Sequence, residues 1–216
     1  MNGDMMGESV ITKIEVQKNN KHRYNIYVDE AYAFSVHEDI MIKHRLQKGK
    51  PISADERRGV LSDEERNDAY LKAVRFLGTR PRTNKEVRQK LHAAGYEEAV
   101  IDETVRRLET ERYVDDRDFA KQWVEQRLRS QHKGKAYLRQ ELLHKGVGRE
   151  HVQEALQGID WEDEVSSAFE IGAKKWRQTS GEPFEKKRKT AAFLLRRGFS
   201  NDVVQQVLHK INDINN

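Results

Sequence analysis

The first forty residues carry a two-residue alternation of apolar and polar positions. Residues 24–28 and 32–36 alternate in this way, and residues 10–16 form an earlier apolar run that ends at a polar turn, 19–21. Such alternation is typical of half-buried strands joined by short turns. The pattern predicts three short antiparallel strands. A sheet this small is marginal alone, so we expect it to pack on a helix at 37–46.

The pattern changes after this module. Residues 47–58 combine glycine, proline and serine and are predicted to be a linker. Ser62 and Glu65 follow in the Ser-x-x-Glu spacing of a capping box, which predicts a helix start. From there to Ile211 the apolar residues recur at helical spacing.

The helical part contains a repeated sequence feature. A leucine stands four residues before a glycine three times, and an apolar residue follows each glycine. The three sets are Leu91-Gly95-Tyr96, Leu142-Gly146-Val147 and Leu194-Gly198-Phe199, with glycines 51 and 52 residues apart. Glycine in the left-handed conformation commonly ends a helix, and the next residue then packs back on that leucine. Each set therefore predicts a sharp turn into another helix.

The helices on both sides of each turn also correspond. Apolar residues lie six, ten and thirteen positions after each glycine and share one helical face: Ile101, Val105, Leu108; Val152, Leu156, Ile159; Val204, Leu208, Ile211. An amphipathic helix precedes each turn helix, with apolar residues at Leu71, Val74, Leu77; Phe119, Trp123, Leu128; Val165, Phe169, Trp176. Each unit is therefore predicted to contain three helices.

This organisation predicts a mainly all-α protein. A small N-terminal antiparallel β module with its helix and linker (1–53) precedes three tandem three-helix repeats at 62–113, 114–159 and 160–212. Units of this size bury little core alone, so neighbouring repeats should stack and form an elongated curved chain. The alternative is one irregular helical domain.

Charge follows the repeat. The formal net charge is only +4, but Lys and Arg exceed Asp and Glu by five in residues 75–92, six in 121–149 and seven in 174–199. We call these segments the first, second and third joints, because each lies where the first helix of a repeat meets the second. Residues 93–118 and 150–173 are instead acidic, with net charges of −5 and −7. Stacked repeats would align the joints as a basic ribbon suited to phosphates or an acidic protein surface. The alternative is an ordinary solvated surface.

Other classes of chemistry lack their signatures. The chain has no cysteine, no Walker A motif and no His-Glu-x-x-His motif, so we expect no cofactor and no metal site. The acidic runs 115–118 and 160–164 are interpreted as helix caps rather than metal-binding carboxylates of a nuclease. Thr83 and Glu86 are predicted to form a capping box. The aromatic residues are expected at core positions, which argues against a stacking platform for single-stranded bases.

Membrane and export signals are also missing from the sequence. No apolar run approaches the roughly 18 residues of a membrane span, and residues 1–10 lack the basic start and apolar core of a signal peptide. We therefore expect a soluble, cytoplasmic protein.

Several motifs resemble those of the RecX family. They are the Glu111-Arg-Tyr-Val-Asp-Asp-Arg-Asp-Phe-Ala120 segment with Trp123 and Arg127, the Arg80-Pro-Arg-Thr-x-x-Glu86-Val-x-x-Lys-Leu91 segment, and the N-terminal Ile11-Thr-Lys-Ile and Tyr27-Val-Asp-Glu segments typical of longer Gram-positive members. The third repeat departs most, because Glu185-Lys-Lys-Arg-Lys189 replaces a tidier helix start.

The resemblance implies a non-enzymatic modulator, mainly an inhibitor, of the RecA recombinase. Such a protein binds RecA and the groove of its filament on single-stranded DNA, and it restrains filament growth, ATP hydrolysis, strand exchange and repressor cleavage. Direct contact with DNA remains possible in this scheme. The alternatives are a stand-alone helical DNA-binding protein acting without RecA, and a nuclease. We hypothesise that contacts come from the joints: Arg80, Arg82, Arg88, Arg127, Arg129, Lys133, Lys135, Arg139, Lys174, Lys175, Arg177, Arg196 and Arg197.

Overall fold

The computed structural model describes residues 9–215, so residues 1–8, part of the segment without signal-peptide features, lie outside it together with residue 216. The N-terminal module is an antiparallel sheet. Its strands are β1 (Ser9–Gln17), β2 (Asn20–Val28), β3 (Ala31–His37) and β4 (Pro51–Ile52), arranged in the order β3-β2-β1-β4. The three predicted strands are confirmed, and their alternation buries Ile11, Ile26 and Phe34 on one face.

The predicted linker is wrong. A short helix, α1 (Glu38–Lys43), follows β3, and then β4 pairs with β1 inside the supposed linker. The next helix, α2 (Ala54–Leu77), begins directly afterwards. Its capping box is formed by Ser53 and Glu56: the Ser53 hydroxyl accepts from the Glu56 N–H at 3.1 Å, and the Glu56 carboxylate accepts from the Ser53 N–H at 2.9 Å.

The predicted helix start at Ser62 is therefore also wrong, because this residue lies inside α2. Ser53 and Ser62 each precede a glutamate by three residues. The backbone is extended at Ser53 but helical at Ser62, so only Ser53 can cap the helix. Glu64, two residues after Ser62, instead contacts residues of the sheet. Its carboxylate accepts from the His37 N–H at 2.7 Å and lies 2.8 Å from the Arg23 guanidinium. Burial raises the pKa of Glu64 above its usual range.

The prediction of three tandem three-helix repeats is confirmed. The first repeat combines α2 with α3 (Asn84–His92) and α4 (Glu98–Thr110). The second has α5 (Asp116–Gln131), α6 (Lys135–His144) and α7 (Arg149–Gln157). The third has α8 (Trp161–Gln178), α9 (Pro183–Arg196) and α10 (Asn201–Asn215).

The repeated glycines end α3, α6 and α9 as the sequence predicts. Gly95, Gly146 and Gly198 have φ of +88°, +85° and +88°. The N–H of the following residue donates to the carbonyl of the repeated leucine at 3.3, 3.1 and 3.3 Å. This is the six-to-one hydrogen bond of a Schellman turn. We call these segments the glycine turns.

The apolar faces are confirmed more fully in the later repeats than in the first. All nine predicted positions after the glycines are buried. In α2, however, Leu71, Val74 and Leu77 are only half-buried, and the neighbouring Ala69 and Ala73 are buried instead. Helix α2 contacts α4. Alanines on the buried face allow the backbones of packed helices to approach closely.

The described chain divides into two compact units. One contains the residues up to Thr79 together with Lys90–Thr110, and the other contains Arg80–Gln89 and the residues from Glu111 onward. The start of α3 thus belongs to the same unit as the second and third repeats. Within the described residues, no helix combines the length and the apolar composition of a membrane span.

Candidate interface at the basic helix joints

The first joint is held together by an ion-pair cluster. The Arg80 guanidinium donates to the Glu86 carboxylate at 3.0 Å and to the Pro81 carbonyl at 3.0 Å. Thr83 and Glu86 form the predicted capping box, with hydrogen bonds of 3.3 and 3.1 Å. The Lys145 ammonium lies 3.2 Å from the same carboxylate.

Glu86 is consequently strongly acidic. Burial by itself raises its pKa, but hydrogen bonds from Arg80, the Thr83 N–H and Lys145 outweigh burial and hold the pKa at about 2. The carboxylate is therefore charged at any physiological pH. It stabilises the joint, so Arg80 is paired within the chain although its side chain is 44% exposed.

The other two candidate residues of the first joint also make contacts within the chain. The Arg88 guanidinium donates to the Asn84 side chain at 3.1 Å. Arg82 is half-buried, and burial, with the charge of Arg80 as a second cause, lowers its pKa. Arg82 lies two residues before α3 and Arg88 lies within α3, which the basic joint was predicted to include.

The start of α3 is seated on the end of α6. The Thr83 hydroxyl donates to the Lys145 carbonyl at 2.8 Å, and the Lys85 ammonium donates to the His144 carbonyl at 2.9 Å. The approach is very close, because a Cβ added to Gly146 would lie 2.5 Å from the Lys85 Cβ. The last carbonyls of α6 thereby gain donors that a helix end otherwise lacks.

The start of α6 is seated on the end of α9 in the same way. The Gly134 N–H donates to the Arg197 carbonyl at 2.9 Å, and the Ala136 N–H donates to the Gly198 carbonyl at 3.1 Å. The Arg197 guanidinium in turn donates a hydrogen bond of 3.3 Å to the Gln131 carbonyl. We call these two arrangements the helix-end contacts. They place the start of α3 beside the end of α6, and the start of α6 beside the end of α9.

Most cations of the second joint lie against carboxylates or aromatic rings. Arg127 lies 4.2 Å from the centre of the Trp123 ring and 4.0 Å from Glu141, which accepts from the Trp123 indole N–H at 3.1 Å. Lys145 lies 4.5 Å from the centre of the same ring. Arg129 is exposed and pairs with Glu125 at 3.1 Å. Contacts with ring faces and carboxylates order these cations.

The remaining candidate residues of the second joint differ in their contacts. We call a cation engaged when it contacts a carboxylate, a carbonyl or an aromatic ring of the chain and is not largely exposed. Lys133 lies 3.5 Å from the centre of the Tyr137 ring. Lys135 pairs at 3.4 Å with Glu164, whose side chain is 3% exposed, and donates to the Ile159 carbonyl at 3.2 Å. Arg139 is exposed and forms no ion pair with any described residue.

The third joint presents the most accessible charge. Lys174, Arg177 and Arg196 are exposed and form no ion pair within the described chain. Lys175 and Arg197 are half-buried, with their charged groups 6.0 and 5.3 Å from the centre of the Phe193 ring. The structure therefore brings the candidate residues together in neighbouring joints, but it leaves few of them free to contact a partner.

The acidic runs behave differently from one another. The Asp115 carboxylate caps α5 by accepting from the Asp118 N–H at 2.9 Å, which confirms the predicted cap. Asp160 occupies the N-cap position of α8 and three further acids lie in the first turn, as predicted, but the Asp160 side chain forms no capping hydrogen bond. Glu164 is the most buried acid of the run 160–164, and it forms an ion pair with Lys135. Among the described residues there is no group of three metal-binding side chains.

Tyr32 and Tyr113 are exposed, and two more aromatic residues, in the helices of the third repeat, also depart from the expectation that the aromatics occupy core positions. Trp161 is 48% exposed and borders a cavity of about 610 Å³, together with Trp176 and residues of α10. Phe184, beside the basic run of α9, is 74% exposed. The sequence offered one signal for both, since each lies in the first turn of its helix, outside the repeated apolar face.

Comparison with known protein families gives four consecutive matches. Residues 9–53 match the N-terminal domain of regulatory protein RecX, and residues 69–108, 115–156 and 162–208 match the first, second and third three-helix domains of RecX. The regulatory protein RecX of Bacillus cytotoxicus is 39% identical over 210 residues, which cover 95% of this chain and 78% of that protein. That of Bacillus cereus strain B4264 is 36% identical with the same coverage.

Solved structures show the same fold. A crystal structure of regulatory protein RecX superposes with a TM-score of 0.79 at 28% identity, covering 92% of this chain and 98% of that one. The crystal structure of RecX from Lactobacillus salivarius gives a TM-score of 0.67 at 23% identity, covering 69% and 98%, and supports the fold alone.

Proposed function

Because the chain belongs to the RecX family of regulatory proteins, we propose that it regulates the RecA recombinase by binding the filament that RecA forms on single-stranded DNA. Binding in the filament groove restrains filament growth, ATP hydrolysis by RecA, strand exchange and repressor cleavage. The protein acts mainly as an inhibitor, without catalysis of its own, and in the cytoplasm where RecA works.

The observation that carries this proposal is the exposed charge of the third joint. Lys174, Arg177 and Arg196 make no ion pair with described residues, and Arg139 of the second joint shares this property. Binding a polyanion costs little when the cations involved have no partner to give up. These residues therefore suit phosphate oxygens or acidic side chains of a filament.

The thirteen candidate residues then divide by role. The exposed Arg129, Arg139, Lys174, Arg177 and Arg196 make direct contacts in our proposal. The engaged residues hold the joints in place, namely Arg80, Arg82, Arg88, Arg127, Lys133, Lys135, Lys175 and Arg197. Losing a contact residue weakens binding, whereas losing a holding residue first weakens the fold.

The test is RecA ATP hydrolysis on single-stranded DNA, titrated with this protein well below the RecA concentration. We expect inhibition by the parent protein and a tenfold or greater rise in the concentration required by the variant with Lys174, Arg177 and Arg196 changed to Gln. The matched control changes Lys18, Lys21 and Lys48 to Gln. It removes the same charge from exposed lysines of the N-terminal module and should inhibit normally.

Binding to naked single-stranded and duplex DNA at the same salt separates the alternatives. Inhibition that naked-DNA binding cannot account for supports regulation of the filament. Tight binding to naked DNA with a steep salt dependence, and no effect on RecA beyond competition for DNA, would instead identify a stand-alone DNA-binding protein.

A further inference from the structure

The three glycine turns share one backbone shape, but only two of them are covered. The Gly146 turn receives the start of α3, and the Gly198 turn receives the start of α6. A Cβ added to Gly95, in contrast, would meet no atom of the described residues within 4 Å, and residues 93–95 are all exposed. The first repeat therefore carries, between α3 and α4, an open copy of a surface that the chain itself uses twice.

The two covered turns define what this surface binds. In both, the carbonyl of the residue before the glycine accepts a hydrogen bond from the residue that begins the arriving helix. The donors are the Thr83 hydroxyl, at 2.8 Å, and the Gly134 N–H, at 2.9 Å. A helix start carries free N–H donors and partial positive charge, and a helix end carries free carbonyls. The two ends are chemically complementary.

The approach is close enough to restrict the arriving residue. A Cβ added to Gly134 would lie 2.3 Å from the Gly198 carbonyl carbon, so that no larger residue fits there without movement. At the other contact the corresponding residue is Thr83, which is fully buried. A helix seated in this way therefore begins with a small residue.

The open Gly95 turn lacks the basic side chains that precede the glycine in the two covered turns. The two residues before the glycine are His144 and Lys145 in the second repeat, and Arg196 and Arg197 in the third, but they are Ala93 and Ala94 in the first. The open turn consequently presents its carbonyls between small uncharged side chains. No charged group flanks the carbonyls from these two positions, so the arriving helix needs no matching acid of the kind that Glu86 provides for Lys145.

We propose that the Gly95 turn is a docking site for the start of an α-helix of the RecA filament, beginning with Gly, Ser or Thr. The Ala94 carbonyl accepts from that residue, as the Lys145 and Arg197 carbonyls do inside the chain. This inference rests on the proposed function for the identity of the partner. A second copy does not match through α9, which begins Glu182-Pro183-Phe184, with a large side chain in its first turn and a proline that has no N–H.

The test uses Gly95→Asn, because Asn tolerates the left-handed conformation and adds a side chain where the helix would arrive. Gly49→Asn is the matched control. Gly49 has a φ of +86° and open space within 4 Å, and it lies in the N-terminal module. Both variants should lose the same small amount of stability in urea. Gly95→Asn should bind the RecA filament at least tenfold more weakly than Gly49→Asn, with unchanged binding to naked DNA.

The outcomes separate the two proposals. Equal filament binding by Gly95→Asn and Gly49→Asn, beside a parent protein that inhibits RecA, overturns the docking site and leaves the proposed function standing. A parent protein that has no effect on RecA overturns both.

A photo-crosslinker at position 94 of the full chain gives an independent readout with the assembled filament. An adduct in the first turn of a RecA helix supports the site. An adduct with DNA, with a second copy of this chain, or with a RecA strand overturns it, and so does the absence of an adduct while the filament is bound.

Discussion

The second and third joints have a similar excess of Lys and Arg, but these side chains make different contacts. In the second joint, Lys135 reaches a buried carboxylate, Arg127 lies against an indole ring, and Lys133 lies against a phenol ring. In the third joint, Lys174 and Arg177 extend into solvent. The same excess of positive charge therefore contributes to a contact between repeats in the second joint and leaves cations exposed in the third.

This difference follows from where each joint lies. The second joint contains a helix start that is seated on the glycine turn of the next repeat, so its cations are close to the neighbouring acids. Within the described residues α10 is the last helix, so no later helix end receives the start of α9. Charge counts along the chain detect both joints equally, but only neighbouring residues decide which cations remain free.

The largest effect on stability should come from filling the close approach in the second joint. In Gly134→Ala the new Cβ would lie 2.3 Å from Gly198 backbone atoms, and neither backbone can give way cheaply. We expect a loss of about 3 kcal/mol in the free energy of unfolding, measured by urea denaturation. Gly78→Ala is the control, because a Cβ there meets only ordinary contacts at 3.6 Å. Equal stability of the two variants would argue against the helix-end contact.

The next largest effect should follow from removing the partner of the buried acid. Lys135→Met leaves the buried Glu164 side chain with a backbone N–H at 3.4 Å as its remaining donor among the described residues. We expect a loss of about 2 kcal/mol in the free energy of unfolding. Arg139→Met removes an exposed cation from the same helix and should leave stability nearly unchanged. A similar loss in both would remove the distinction between engaged and exposed cations.

Acid should weaken the contact between the first and second joints. The pKa of Glu86 is lowered to about 2, below its ordinary value near 4.5, so the unfolded chain takes up this proton at higher pH than the folded one. The contribution of Glu86 is therefore fully present above pH 4.5 and is lost as the pH falls toward 2. Stability measured across this range should fall less steeply in Glu86→Gln than in the parent, by about 1 to 2 kcal/mol.

The smallest effect on stability is expected in the third joint. Changing Lys174, Arg177 and Arg196 to Gln removes three exposed cations without breaking an ion pair among the described residues, and it lessens repulsion between like charges. We expect a change of less than about 0.5 kcal/mol in the free energy of unfolding. A larger loss would show that these cations support the fold, and weaker filament binding by this variant would then need another explanation.

Local patterns predicted much of the architecture. The Leu-x-x-x-Gly sets predicted three Schellman turns, because the left-handed glycine and its hydrogen bonds depend on six consecutive residues. The apolar faces behind them followed from helical periodicity in the same way. The elongated curved shape, the repeat boundaries and the thirteen contact residues stay predictions.

The wrong or missing predictions fall where the local sequence pattern fits more than one structure or carries no pattern at all. Ser53 and Ser62 both precede a glutamate by three residues, and the sequence favoured the second because glycine and proline precede the first. Strand β4 has only two residues and shows no alternation, so its pairing with β1 had no sequence signal. The Lys135–Glu164 pair joins residues 29 positions apart, and no local pattern connects them.

Local sequence patterns are enough to predict the helices, their turns and the faces they bury, since each depends on residues within a few turns of one another. The packing of the folded chain sets which cations are engaged, which glycine turns are covered and which is open among the described residues. These properties depend on helix ends that meet across about 60 residues of chain, such as Thr83 with Lys145 and Gly134 with Arg197. Backbone carbonyls accept both of these hydrogen bonds, and every residue carries nearly the same carbonyl, so the side-chain pattern holds little record of them.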